Sequence, residues 1–511
     1  MKRPGRNFLH RLGDGLAAMG GVSARAYAAA EVNRITADWL GVSDYGPNDE
    51  TRWSLAKIRR RARDLEQNNA TIRNYLRILS VNVIGPKGIE LESRVRLGSG
   101  ELDRATNDRI EAAWDEWGEA VTIDGKWSMP TFSRTILRSI ARDGEAFVRL
   151  WRGYPHNRFG FALEAIDPVQ VDETYDIRKG DGQNEIRMGV EVDDFGRPVA
   201  YWVFDRPLTL VGATNRKRVR IPADEIVHLY DPDRINQSRG VSWLASVMVP
   251  AKMLDGYIEA ELIAARVGAS KMLFFQRKDG TMGVSPLGEG EKFDVDVSPG
   301  SSLVLPDGYE VADWNPAHPN AAFGGFVKNA MRNIATGLGV SYNALASDLE
   351  GVNYSSMRSG LLIERDVWRC VQQWWAGAFL RIVYREWLNS SLLMQAIALP
   401  SMDYRKFLDV KWSPRGWSWV DPLKDTQAGV LGIQNGLASR QDLLSEQGKD
   451  VEDVLEQLAE EKKWAEQYGV SIVAPDMTAP SDPATSEDVV AATNGNSHSA
   501  TMSEHKSKSR F

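Results

Sequence analysis

The sequence predicts an α+β chain built from more than one unit, and three successive signals carry that prediction. Apolar residues recur at helical spacing through about residue 144. Short alternating runs rich in β-branched and aromatic residues then fill 145–231, and long helical patterns return after them. At 511 residues the chain has room for roughly three units. Its apolar share of 43%, beside 26% charged residues, is ordinary for a soluble globular protein.

Taken in order, the start MKRPGRNFLHRLGDGLAAMGG is basic, but His10, Arg11 and Asp14 interrupt its apolar run. It reads as a flexible arm within 1–48 rather than a signal peptide, with 24–41 as a short helix. From about residue 49, Trp53, Ile58, Leu65, Ile72, Leu76, Leu79 and Val83 recur at helical steps. Asn68-Asn69 is a candidate break, and Gly85-Pro86 ends the run. Residues 109–121 and 129–144 are further helices. The block 145–231 reads as an antiparallel sheet, with DDFGRP as a hairpin turn between Val192 and Tyr201.

Helical period resumes over 241–269, with Ser242 as N-cap and Pro250 as an early kink. Residues 271–319 are short strands and turns, inserted between that helix and the next, 321–337. The polar stretch LGVSYNALASDLEGVNYSSMRSG follows. Only Tyr342, Leu345 and Leu349 could anchor it, so it reads as an unusually long loop between strong helices. The helix 357–388 would be about 48 Å long if straight. It carries one stripe of Ile363, Val367, Val371, Trp374, Ala378 and Ile382, and another of Trp368, Trp375, Phe379, Val383 and Trp387, so more than one side should be covered. Small helices fill 421–470, with capping-box patterns at Ser439/Asp442 and Asp450/Asp453. The Ser/Thr/Pro-rich end, 471–511, reads as disordered.

The single cysteine, Cys370, excludes an intrachain disulfide, suits assembly in a reducing compartment and reads as packing. No stretch approaches the ~18 apolar residues of a membrane span. No G-x-x-x-x-G-K-[ST] appears, which argues against a P-loop motor, and the six histidines are isolated from one another. His228 reads as a satisfied strand histidine. Carboxylates cluster at Asp167, Asp172, Glu173 and Asp176 and at Asp193-Asp194. Convergent carboxylates serve two-metal nucleases, although turn chemistry also uses them. The run Lys57, Arg59, Arg60, Arg61, Arg63 is the densest cationic patch. It is either a solvated or interface helix, or a contact for nucleic acid or an acidic partner. Residues 428–448 imitate a helix-turn-helix, but Asp442, Glu446 and Asp450 would repel phosphate. A net charge of −7 disfavours tight binding of DNA over the whole surface. With no catalytic set or cofactor motif emerging, the chain reads as an architectural protein, not an enzyme.

One ordered series of segments is more specific. RARDLEQNNATIRNYLRILSVNVIG, ARDGEAF, VEVDDFGRPVAYWV, PADEIVHLYDPDRINQSRGVSWLASV, GVSYNALASDLEGVNYSSMRSGLL and WVDPLKDTQAGVLGIQNGLASRQDLLSEQGKD together resemble the lambda-like portal proteins of tailed bacteriophages over roughly 49–470. The resemblance implies a virion protein, assembled in the host cytoplasm, that closes into a ring of about twelve copies at one capsid vertex. Double-stranded DNA would pass through the ring without sequence preference. The implied partners are the large terminase subunit, a head–tail adaptor, and the major capsid and scaffold proteins.

The same resemblance divides the chain into a wing (49–238), stem helices (239–270 and 320–340), a clip (271–319), a tunnel loop (341–356), a long helix returning to the wing (357–420) and a crown (421–470). It places Ser341, Asn343, Ser347, Asn353, Ser355 and Ser356 along the channel, flanked by the cations Lys328, Arg332 and Arg358. Gln276, Arg277, Lys278 and Asp279 would face the motor and adaptor. Seventeen tryptophans suggest subunit interfaces, above all on the 357–388 helix. The competing readings are a metal-dependent DNA-processing enzyme using the carboxylates above, a DNA-binding regulator using 428–448, and another capsid or scaffold component.

Overall fold

A computed structural model of the chain describes residues 45–180, 183–205, 216–269, 274–277, 309–312, 322–351, 354–417 and 422–470. The chain divides into two compact units, with the boundary in the sequence between Arg415 and Gly416. The expected arm helix at 24–41 and the tail after 470 lie outside the described residues.

The first unit opens with helices α1 (Pro47–Asn68) and α2 (Ala70–Val83). They part at the expected place, because the Asn69 side chain accepts the Ile72 amide at 2.7 Å and caps α2. Leu65, Ile72, Leu76, Leu79 and Val83 are buried as the periodicity predicts. Trp53 is not, at 76% exposed. The inward face of α1 is phased on Thr51, Leu55, Arg59, Ala62 and Leu65, which turns Trp53 outward beneath the Arg52 guanidinium. Helices α3 (Arg104–Gly118) and α4 (Met129–Asp143) follow, and α4 ends where Gly144 turns left-handed, at φ +96°.

Strand β2 (Ala146–Arg152) pairs antiparallel with β3 (Phe161–Ile166) on one edge and β8 (Ile226–Leu229) on the other. A second antiparallel sheet runs β4 (Glu185–Arg187), β5 (Val190–Val192), β6 (Pro198–Phe204) and β7 (Arg218–Pro222). Phe147 and Ile226 of the first sheet share a buried cluster with Val190, Val192, Tyr201 and Ile221 of the second. The β5–β6 turn is the expected hairpin. Asp193 accepts the Phe195 and Arg197 amides there, and Gly196 supplies φ +77°.

Helix α5 (Met248–Ala269) begins later than expected. Ser242 instead accepts the Leu244 amide within a preceding turn, and Pro250 falls in the first turn of α5, where its missing N–H needs no partner. Within 271–319, the described residues form β9 (Phe274–Arg277) and β10 (Tyr309–Ala312), paired antiparallel. Helix α6 (Phe323–Leu338) returns beside α5, with the Tyr257 ring tilted against Phe323 at 5.7 Å and edge-on to Phe326 at 5.0 Å.

After the short helix α7 (Tyr342–Ala346), α8 (Tyr354–Trp375) passes through a π-helical turn, Ala376–Leu380, into α9 (Arg381–Leu393). The stripe of Trp368, Trp375, Phe379, Val383 and Trp387 is buried in the chain itself. Trp387 meets Trp114 edge-on at 5.1 Å and lies 6.0 Å from Trp117, so these tryptophans build an intrachain core rather than an open surface. On the other stripe Ile363 and Val367 stand exposed. Cys370 is exposed too, which corrects its reading as a packing residue. Strand β11 (Val410–Ser413) pairs with β1 (Glu90–Ser93) and closes the unit.

The second unit holds α10 (Pro422–Gln434), α11 (Arg440–Glu446) and α12 (Val451–Tyr468). Ser439 and Asp442 form the predicted reciprocal capping box. Gly429 lets α10 approach Leu443 of α11, since a Cβ there would stand 2.9 Å from its methyl.

Candidate nucleic-acid interface

The expected long loop at 341–356 is largely structured, and its glycine and serine residues act as caps. Gly339 turns left-handed at φ +68° to end α6, and the Val340 amide bonds back to the Ala335 carbonyl. Ser341 then accepts the Ala344 amide at 3.2 Å and starts α7, and Ser347 ends it at φ +54°. Helix α8 begins at Tyr354, so Ser355 and Ser356 sit in its first turn rather than in a loop. Asn353 lies outside the described residues.

This segment is tied down from two sides. Asn74 of α2 donates to the carbonyls of Leu345 (2.8 Å) and Ala344 (3.3 Å), and Leu345 is buried. From α6, the Lys328 ammonium reaches Asp348 at 3.3 Å. The Tyr342 hydroxyl donates to the same carboxylate at 2.7 Å. Lys328 and Arg332, one turn apart, stand 5.5 and 5.6 Å from the Tyr342 ring. The Tyr342 hydroxyl bond, the Glu350 amide and Lys328 hold the Asp348 carboxyl below its usual range. Donation to that carboxylate raises the Tyr342 phenol. Two of the cations expected to face DNA, Lys328 and Arg332, thus also brace the segment. Asn343 is half-buried and Ser347 exposed. Arg358 lies on the first turns of α8 and has an interaction partner of its own.

The cationic run and the acidic cluster answer each other. Arg52 pairs with Asp176 (3.2 Å), Arg59 with Glu173 (3.0 Å), Arg63 with Asp167 (2.8 Å) and Arg218 with Asp172 (2.6 Å). At the hairpin, Asp193 holds Arg197 and Asp194 holds Lys179. Among the described residues no group of three or more His, Cys, Asp or Glu side chains could hold a metal ion. The carboxylates named for metal chemistry each hold a cation, and Arg59 and Arg63 of the basic run are part of that counter-charge.

Sequence reasoning missed the centre of this network. Glu145, fully buried, accepts from Arg239 Nε (2.8 Å) and Nη2 (2.6 Å), from the Gly240 amide (3.1 Å) and from Arg59 (3.5 Å); His228 lies 3.0 Å away. Burial pushes Glu145 up, but the Arg239 charge and the His228 and Arg239 bonds outweigh it and hold the carboxyl well below its usual range. His228, stacked 4.2 Å from Phe147, is the satisfied strand histidine the sequence suggested, with burial lowering its pKa. Gly144 and Gly240 make the close approach possible: a Cβ on Gly240 would stand 2.1 Å from the Gly144 carbonyl oxygen. The signal was present, since ARDGEAF and QSRGVS each pair an arginine or glutamate with a glycine.

Of the residues expected to face a motor, Gln276 and Arg277 lie on β9, while Lys278 and Asp279 fall outside the described residues. No helix among the described residues is long and apolar enough to cross a membrane.

A family model described as "Phage portal protein, lambda family" matches residues 33–372. The chain is 35% identical over 464 residues to the "Probable portal protein" of Halomonas phage phiHAP-1, covering 87% of this chain and 88% of that one. It is 24% identical over 452 residues to "Portal protein B" of Escherichia phage lambda, covering 78% and 82%. Among solved structures it is similar to a chain of the "Neck of native GTA particle computed with C12 symmetry", with a TM-score of 0.41 and 13% identity over 80% of this chain and 96% of that one.

Proposed function

The chain belongs to the lambda family of phage portal proteins, and from that premise we propose that it closes into a ring of about twelve copies at one capsid vertex. Through that ring the genome is packaged, held and ejected. The observation that carries this reading is the match to portal proteins over most of both chains. The chain is a structural component of the virion, and the energy for packaging comes from a separate motor.

The proposed parts follow the chain. Residues 49–238 form the wing, α5 and α6 the stem, and 271–319 the clip that meets the large terminase subunit and later the head–tail adaptor. Residues 421–470 form the crown, and the major capsid and scaffold proteins surround the ring. The α6–α8 connection, 341–356, faces the DNA. Its anchoring through Asn74, Lys328 and Tyr342 supports a fixed wall element rather than a freely sweeping loop. The test is genetic. Particles assembled without this chain should be shells that never fill with DNA, and DNA-filled shells lacking it would overturn the reading.

A further inference from the structure

Beside the anchored segment lies an open cleft of about 590 Å³ between α2, α4, α6 and the end of α7. Arg73, Arg77 and Arg138 line it, with Asn74, Met331 and Ser347. No carboxylate is among the described residues that line it. That sets it apart from the wing network, where Arg52, Arg59, Arg63, Arg218 and Arg239 all hold carboxylates. Arg73 and Arg77 stand one turn apart on α2, and both are exposed. Arg77 spends one nitrogen on the Asn74 side-chain oxygen at 2.7 Å, and Arg138 one on Glu66 at 2.7 Å. Five N–H donors on each guanidinium leave others to offer.

We propose that this cleft binds backbone phosphates of duplex DNA, so that Arg73 and Arg77, with Arg138 behind them, grip the genome independently of its sequence. The proposal rests on the portal reading above and moves the DNA-contacting cations from Lys328 and Arg332 to α2. The physical argument is one of contrast. In a chain of net charge −7, a polyanion is repelled over most of the surface and held where guanidinium groups gather in a cleft with no carboxylate in its lining. Arginine suits the role because its planar fork matches two phosphate oxygens at once. Asn74, on the same turn as Arg73, also holds the Leu345 carbonyl, so phosphate at the cleft would bear on the channel segment directly.

The test uses the assembled full-length protein and a short duplex of arbitrary sequence, titrated by fluorescence anisotropy over a range of salt. In R73Q/R77Q the slope of log affinity against log salt should shrink by about 2, equally for unrelated sequences. R73K/R77K, which keeps the charge, should retain most of the slope, and R197Q at the distant hairpin should leave it unchanged. Equal affinity and slope for R73Q/R77Q and the parent would overturn the proposal. So would displacement of the duplex by inorganic phosphate at matched ionic strength, which would mark a small-anion site. A double variant that folds but no longer assembles would also overturn it, marking the cleft as a contact between copies. Rings are scored by electron microscopy in the same samples. DNA binding by rings that ignores these arginines refutes the cleft alone, whereas a parent protein that assembles into open filaments or curved sheets refutes the ring reading.

Discussion

Glu145 is a buried carboxylate among Arg239, Arg59 and His228, and removing its charge would leave two arginines with too few counter-charges in the interior. E145Q should therefore cost about 3–5 kcal/mol, read as a lower denaturant midpoint at unchanged m-value. Titration of the same groups gives a pH dependence of known sign. Both Glu145 and His228 have folded pKa values below their ordinary ones, so the unfolded chain takes up protons first as pH falls. The contribution of neutral His228 is complete above its unfolded value of 6.5 and is lost as pH falls through its lower folded value. That of Glu145 is complete above 4.5 and is lost at more acid pH. Between about pH 7 and about pH 5 the midpoint should fall, and H228Q should fall less steeply. A gap between the two proteins that stays constant over that window would contradict the assignment. The sequence showed five cations in a short run but not which one turns inward. Arg59 is set by its spacing from Leu55 and Ala62, which is visible only once the helix is phased.

At the scale of elements, local chemistry was legible at three boundaries that one side chain decides, and missed at Ser242, which caps a turn ahead of α5. The Asn69 cap, the Asp193–Arg197 hairpin and the Ser439/Asp442 box all formed where the residues indicated. The 341–356 segment misled because Gly339, Ser341 and Ser347, which look like loop composition, are the C-cap of α6 and the two caps of the short α7. Two predictions belong here. N74A removes both bonds to the α7 carbonyls, so amide hydrogen exchange over 342–350 should speed up several-fold with little change in melting temperature; unchanged exchange would mean Leu345 alone holds the segment. G240A should be far more damaging than G196A. Its Cβ would meet the Gly144 carbonyl oxygen at 2.1 Å, whereas Gly196 has open space and should cost only the left-handed backbone, about 1–2 kcal/mol. Equal losses in the two variants would contradict the close approach of the two chain segments.

For the molecule as a whole, the switch of period near residue 145 and its return after 240 were enough to predict mixed helix and sheet. The family was not written in periodicity; it came from the ordered likeness of separate segments, and the 35%-identical relative bears that family out. The tryptophans show why composition alone was ambiguous. Trp117, Trp375 and Trp387 fill the chain's own interior, while Ile363 and Val367 on the same long helical run stay exposed. The measurement that tests the central claim most directly is electron microscopy of the purified full-length protein, with particles averaged and scored for rotational symmetry. The account predicts closed rings of about twelve copies around a hole wide enough for duplex DNA. Open filaments, curved sheets or monomers that cleave DNA when given magnesium would contradict it.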